Sequence, residues 1–412
     1  MIGRAKGLRE RICNVQETLL KPQSTIGSGR VRRFDAPGKN LRVTQITTFC
    51  PDVIGPGATH LYLIEGSAII LLDAGIPTHL AQAFFYQWRN QPMPAEVQEL
   101  ASDHTLQEFF QGLELAGRSV GDIDLVVISH GHPDHFLMLQ SILDGANPAI
   151  AAHILDTPEI CNPWGLLSMW LSRQEQLQAT GMPSAWSPRP AVRDELFRNL
   201  NLESMGVAVR VDTPIFDNGP VRLRGATLSG VEAIHLPGHT PGSIGLILGE
   251  GDDRMLLCGD VLLNPITPHP DNLLVYLRTL RVLGQLDGIG LVLPAHGEEI
   301  RDLKARVQFL QEHHRQRLNL TYEACASPRS VWEIATRDGY FDTYVNPAKF
   351  NPLAALEALV HMELLNMVDG LHRCDMRNDV HYFKNSGEPF DRVYGRIADL
   401  IEGRNSGAMM RY

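Results

Sequence analysis

The sequence predicts an α/β protein of layered sheets with outer helices, and three features carry that expectation. Short apolar runs alternate with helix-like stretches between residues 41 and 300. One of them, Ile123–Ser129, is apolar nearly throughout, as a strand covered on both faces must be. Beyond His296 the texture turns to amphipathic helices.

Taken in order, residues 1–40 read as a basic N-terminal arm without clear periodicity. Strand-like runs follow at Arg42–Phe49, His60–Glu65 and Ala68–Leu72, with Gly55, Pro56 and Gly57 separating the first two. Residues 78–120 are polar and helix-like. Residues 155–205 read as an inserted helical segment, with Trp164, Leu166, Leu167, Met169, Trp170 and Leu171 as core or pocket wall. Strands resume at Ala208–Val211, Val221–Arg224, Val231–His235, Ile244–Leu248, Met255–Cys258 and Leu291–Leu293, with a helix around Thr279–Leu286. The spacing then predicts helices over Leu303–Leu320, Ser330–Arg337 and Pro352–Met367 and short strands at Leu371–Cys374 and Val380–Lys384. Helix, helix, helix, hairpin is the order of a winged-helix module. The domains expected are therefore 1–40, a catalytic domain over 41–300 and a C-terminal winged-helix-like domain over 301–412.

Charge narrows the partners. Residues 1–40 hold nine Lys/Arg and three Asp/Glu, whereas 41–300 hold thirteen and twenty-nine and no lysine. Nucleic-acid surfaces concentrate basic residues, so the acidic middle argues for a small-molecule substrate and against nucleic acid. No run approaches the ~18–20 apolar residues of a membrane span, and no apolar stretch follows the basic N-terminus. A cytoplasmic protein away from the membrane is expected. The six cysteines form no Cys-x-x-Cys pair and read as reduced thiols. The apolar helix over Leu353–Met367 suits packing, homodimerisation or a cleft wall better than DNA reading.

Ser129-His130-Gly131-His132-Pro133-Asp134-His135 carries the chemistry. It places three imidazoles and a carboxylate at a strand end, a set suited to zinc or iron. Gly131 and Pro133 fit a tight loop. His130 and His132 can share one metal, while Asp134 and His135 turn toward a second. Three more segments set one ligand-type side chain just past an apolar run: Leu236-Pro237-Gly238-His239-Thr240-Pro241-Gly242-Ser243, Leu257-Cys258-Gly259-Asp260, and Leu293-Pro294-Ala295-His296-Gly297.

In that order, the four motifs resemble the metallo-β-lactamase superfamily over roughly residues 41–300. The resemblance implies an αββα sandwich with metals at one sheet edge. It also implies His130, His132 and His239 on one metal, Asp134, His135 and His296 on the other, Asp260 bridging, and Asp73 behind them orienting a ligand. Two divalent ions are implied, zinc first, with iron or manganese as alternatives. Gly259–Leu263, Ile266–His269, Glu312–Arg315 and the Ala358–Leu365 helix resemble a bacterial branch of hydrolases with a C-terminal winged helix. Relatives in that branch often place His after the bridging Asp, where this chain has Val261.

The activity so implied is hydrolysis by a metal-bridging hydroxide, with Asp134 orienting it and moving a proton. A thioester, ester or lactone substrate is expected, with single-stranded RNA cleavage as the alternative. His132 argues against diiron redox relatives, which carry a carboxylate in that motif. The absence of a secretion signal argues against a β-lactam substrate. His60, Tyr62 and His269 are candidates to line the cleft. His153, His235, His313, His314 and His361 read as structural.

Overall fold

The computed structural model describes residues 15–35, 41–51, 57–82, 94–162, 176–183, 209–349 and 351–404. Eight strands run in sequence order across one sheet: Gln16–Lys21 (β1), Val31–Asp35 (β2), Arg42–Thr48 (β3), Thr59–Glu65 (β4), Ile69–Leu72 (β5), Leu125–Ile128 (β6), Ala149–His153 (β7) and Thr213–Ile215 (β8). Pairing is antiparallel through β5 and parallel from β5 to β8. A five-stranded sheet holds Gly219–Leu223 (β9), Ala226–His235 (β10), Ile244–Leu248 (β11), Arg254–Leu257 (β12) and Ile289–Leu293 (β13) in the order β13-β12-β11-β10-β9.

Helices with both ends among the described residues are α1 (Ala95–Gln98), α2 (His104–Leu115), α3 (Pro133–Phe136), α4 (Leu139–Leu143), α5 (Thr157–Cys161), α6 (Leu273–Gly284), α7 (Leu303–Ala324), α8 (Val331–Ala335), α9 (Pro352–Met367) and α10 (Phe390–Glu402), and residues 78–82 and 176–179 are helical as well.

Strand alternation explains the layering. On β4, Tyr62 and Ile64 point between the sheets and join Val43, Leu72 and Val127, against Val231, Leu246, Leu257 and Leu293 of the smaller sheet. Leu61 and Leu63 point the other way, into a core closed by Phe109 and Leu113 of α2. Leu256 and Val292 likewise leave the smaller sheet to meet Leu277 and Leu280 of α6 and Leu310 of α7. Both faces of the central strands are covered, so these strands read as continuous apolar runs. The result is the expected αββα sandwich.

Over residues 15–35, the described part of the expected 1–40 arm, strand pairing corrects that reading. β1 and β2 belong to the large sheet, and their basic residues are paired. Arg32 is buried against Gln45 and meets Glu299 at 2.7 Å and Glu17 at 3.2 Å, and Arg30 meets Glu298 at 3.2 Å. Residues 209–211 carry no strand, the pairing segment being Thr213–Ile215. Of the 155–205 insertion, α5 is helical, whereas Trp164, Leu166, Leu167, Met169, Trp170 and Leu171 lie outside the described residues.

Beyond residue 300 the helix and hairpin order is as read. Val380–Asn385 (β16) pairs with both Leu371–Arg377 (β15) and the short Arg329–Ser330 (β14), in the order β14-β16-β15, and α10 follows. The apolar cluster behind the smaller sheet runs on through Trp332, Leu359, Leu365, Leu371 and Ile397. No described helix is long and apolar enough to cross a membrane. Among the described cysteines, Cys161, Cys258, Cys325 and Cys374 carry free thiols.

Candidate metal centre

All seven candidate ligands sit on strand-to-loop exits at one edge of the sandwich. β6 ends at Ile128 and delivers His130 and His132, with Asp134 and His135 on the first turn of α3. β10 ends at His235 ahead of His239, β12 ends at Leu257 ahead of Asp260, and β13 ends at Leu293 ahead of His296. Gly238 is required where it stands. Its φ is +124°, and a Cβ there would lie 2.4 Å from the backbone of Tyr276 on α6.

The side chains form two groups. Ligand atoms of His130, His132, His239 and Asp260 lie within 4.8 Å of one another, as do those of Asp134, His135 and His296. Asp260 faces both groups. Its Oδ2 is 3.6 Å from Nε2 of His239 and 3.6 Å from Nε2 of His135, and its Oδ1 is 3.5 Å from Nε2 of His296. Asp134 Oδ2 lies 3.2 Å from His296 Nε2 and 3.5 Å from His135 Nε2.

Hydrogen bonds on the far side of each ring decide which nitrogen faces inward. His239 donates Nδ1–H to the His269 carbonyl at 2.7 Å, and His296 donates to the Gly57 and Ala58 carbonyls at 3.1 Å. His135 donates to Asp73 Oδ2 at 2.8 Å. Ser129 gives its hydroxyl proton to Asp73 Oδ2, so at 3.0 Å it accepts from Nδ1 of His130. Each of these four rings therefore turns an Nε2 lone pair toward the centre when neutral.

Nε2 of His130 and of His239 stand 3.0 Å and 3.1 Å from Nδ1 of His132. One proton cannot satisfy three converging nitrogens. Nε2 of His135, Nε2 of His296 and Oδ1 of Asp260 are buried with no hydrogen-bond partner. Buried polar atoms left this way cost roughly 1–3 kcal/mol each, a penalty that bound cations remove. The donor set fits divalent metals.

Electrostatics follow the same division. Burial holds the imidazoles of His130 and His239 below the usual histidine range. Burial also pulls on His135 and His296, but the carboxylates beside them prevail and raise both, His135 strongly. Asp260 is held well below the usual carboxylate range, since His296 and His135 outweigh its burial. The carboxylates that raise His135 and His296 would likewise attract a bound cation.

Two sequence candidates for the cleft have a different role. His60 and Tyr62 are buried and grip the loop that carries His296. His60 Nε2 meets the Gly297 carbonyl at 2.8 Å, and the Tyr62 hydroxyl donates to the Pro294 carbonyl at 2.5 Å. His269 contributes its backbone oxygen to His239 and its ring to Glu357 at 2.7 Å. Val261, the departure after Asp260, is buried in the core behind the smaller sheet.

Sequence reasoning passed over Asp156. Its Oδ2 accepts from Gly131 N at 2.9 Å and Thr240 Oγ1 at 2.6 Å, and its Oδ1 accepts from Gly242 N at 2.6 Å. One buried carboxylate thus ties the His130–His135 loop to the His239 loop. The signal available was an aspartate three residues past β7, in a chain whose other strand ends supply ligands.

The fold and site define an α/β protein, a four-layer sandwich whose sheet edge carries a cluster of histidines and aspartates able to hold metal. Residues 54–318 match the family model described as the metallo-beta-lactamase superfamily, and the chain belongs to that superfamily. Similar solved structures include a metallo-beta-lactamase family protein from Thermus thermophilus, 18% identical, covering 83% of this chain and 98% of that one, with a TM-score of 0.61. A beta-lactamase domain protein from Burkholderia ambifaria is 20% identical and covers 88% of this chain and 95% of that one, also with a TM-score of 0.61. At such identities the likeness concerns the fold. Comparison with curated proteins gives no match.

Proposed function

We propose that the chain is a binuclear metal-dependent hydrolase acting on a thioester, ester or lactone. The convergence of the seven side chains, with Asp260 facing both groups, carries the reading. His130, His132 and His239 would hold one divalent ion, Asp134, His135 and His296 the other, and Asp260 both. Two such ions, zinc by donor chemistry, lower the pKa of a coordinated water toward neutrality and polarise a carbonyl.

The chain's own groups do the rest. Asp134 stands at the centre with Oδ2 beside His296 and His135, positioned to orient the attacking water and pass its proton to the leaving group. Asp73, Ser129 and the carbonyls of Gly57, Ala58 and His269 keep the rings from turning.

Charge supports the substrate class. The 41–300 segment has sixteen more acidic than basic residues, which disfavours a polyanion. Arg30 and Arg32 are held in ion pairs with Glu298, Glu299 and Glu17, which speaks against a phosphate-binding arm. The C-terminal helices and three-stranded sheet suit a winged-helix-like module used for packing.

The test is metal analysis of the purified chain with a panel of thioesters, carboxylic esters and lactones, comparing wild type with Asp134→Ala. Turnover of a carbonyl ester that needs bound metal and is lost in Asp134→Ala supports the reading. Cleavage of RNA with no ester turnover overturns it.

A further inference from the structure

A second set of metal-type donors lies apart from these seven residues, between α7 and α9. A ring nitrogen of His313, a ring nitrogen of His314 and a carboxylate oxygen of Glu357 fall within 4.8 Å of one another. Glu357 is mostly buried and His314 wholly so.

The hydrogen bonds fix the state of His314. His361 Nδ1 donates to the Glu357 carbonyl at 2.7 Å, which leaves Nε2 of the neutral ring as an acceptor. His314 Nδ1 lies 3.1 Å from that Nε2 and is therefore the donor. Nε2 of His314 is left as a lone pair, fully buried and with no hydrogen-bond partner, and Nε2 of His313 is buried and without one as well. Glu357 Oε2 is occupied by His269 Nδ1 at 2.7 Å. Oε1 stands 3.9 Å from Arg317 Nη1 and 3.8 Å from His361 Nδ1.

Two bare imidazole nitrogens beside a carboxylate in a buried setting are what a borderline divalent cation requires. We propose that His313, His314 and Glu357 form a further cation site of the zinc class, with three protein ligands and an open fourth position. The Arg317 guanidinium, stacked over Tyr340 and Phe341, adds positive charge nearby and makes this site weaker than the sheet-edge cluster. The site also reaches that cluster, because Glu357 holds His269 and the His269 carbonyl fixes His239. A cation here would brace α7 against α9 and, through His269, steady a ligand of the principal site.

The experiment is zinc titration of the EDTA-stripped full chain, read as zinc per chain and by competition with a chromophoric chelator. The readout is the difference between wild type and two variants, His313→Ala and His314→Gln. Each variant is expected to bind about one zinc fewer than wild type, the weakest one, and to keep the tighter ions. Equal stoichiometry in wild type and His313→Ala overturns the proposal. His313 is only partly buried and its Nε2 has no partner, so His313→Ala decides the matter even where His314→Gln fails to fold. Because the readout is a difference, it stands whether the principal cluster takes one ion or two.

Discussion

Oδ2 of Asp73 lies 2.8 Å from Nδ1 of His135 and 2.8 Å from the hydroxyl of Ser129, which in turn is 3.0 Å from Nδ1 of His130. One carboxylate at the end of β5 thus orients a histidine from each group of the metal cluster. Asp73 does so from a left-handed backbone, φ +64°, which aspartate and asparagine tolerate better than most residues. Asp73→Asn is therefore expected to keep the fold while weakening zinc binding by about 10–100-fold. Chelator competition measures the affinity and thermal unfolding of the stripped protein measures the fold. Unchanged affinity would remove Asp73 from the role assigned to it.

Asp156 is the other hinge of the site, and its loss acts on geometry before chemistry. Asp156→Ala leaves the amides of Gly131 and Gly242 and the Thr240 hydroxyl without their acceptor in a buried setting. The expected cost is about 2–4 kcal/mol in urea unfolding, with zinc affinity falling alongside. Asp156→Asn retains an oxygen acceptor and should lie between the two. A stable Asp156→Ala with normal zinc binding would mean the loops are held elsewhere.

The contrast between these two aspartates shows what the sequence makes legible. His130, His132, Asp134 and His135 announce themselves because four ligand types crowd one strand end, and His239, Asp260 and His296 repeat the same setting. Asp156 is a lone aspartate before a helix, and nothing local distinguishes it from a cap. The hairpin of β1 and β2 was hidden for a different reason. Its outer strand is solvent-exposed and lacks apolar alternation, and Arg32 looks like surface charge until Glu299, brought from 267 positions away, neutralises it. Most strands between β3 and β13 were readable because burial on both faces leaves an apolar run that composition alone reveals, though β7 (Ala149–His153) was not read as one. β8 is three residues long with little buried surface, and its position had to come from the pairing.

Acid should weaken the fold through histidines that are buried neutral. Burial lowers His361 to about 4 from an ordinary 6.5, so the folded state resists a proton that the unfolded chain accepts. That contribution is fully present above about pH 6.5 and is lost as pH falls toward 4, at a limiting slope of about 1.4 kcal/mol per pH unit. His60, held at about 3 by burial, acts in the same direction over a wider window. Urea unfolding in EDTA at a series of pH values tests this. His361→Gln should unfold more easily at pH 7 yet lose less stability between pH 6.5 and 4 than wild type. Parallel pH profiles would refute the assignment.

Asp260 offers the sharpest test of whether the two groups act as one centre. Its two oxygens face His239, His135 and His296 at 3.5–3.6 Å, so a cation in either group is held partly by the same carboxylate. Removing that charge should penalise both occupants. Zinc bound to the folded state alone raises stability by about 1.4 kcal/mol for each tenfold excess over its dissociation constant, so melting temperature reports occupancy. In wild type, EDTA is expected to lower the melting temperature markedly and zinc to restore it. In Asp260→Asn the rise on adding zinc should shrink, and zinc per chain should fall relative to wild type at equal free zinc. His296→Ala, which touches one group directly, should lose less. An Asp260→Asn protein with wild-type zinc content and an undiminished thermal response would show two independent sites, and the shared role of Asp260 would have to be abandoned.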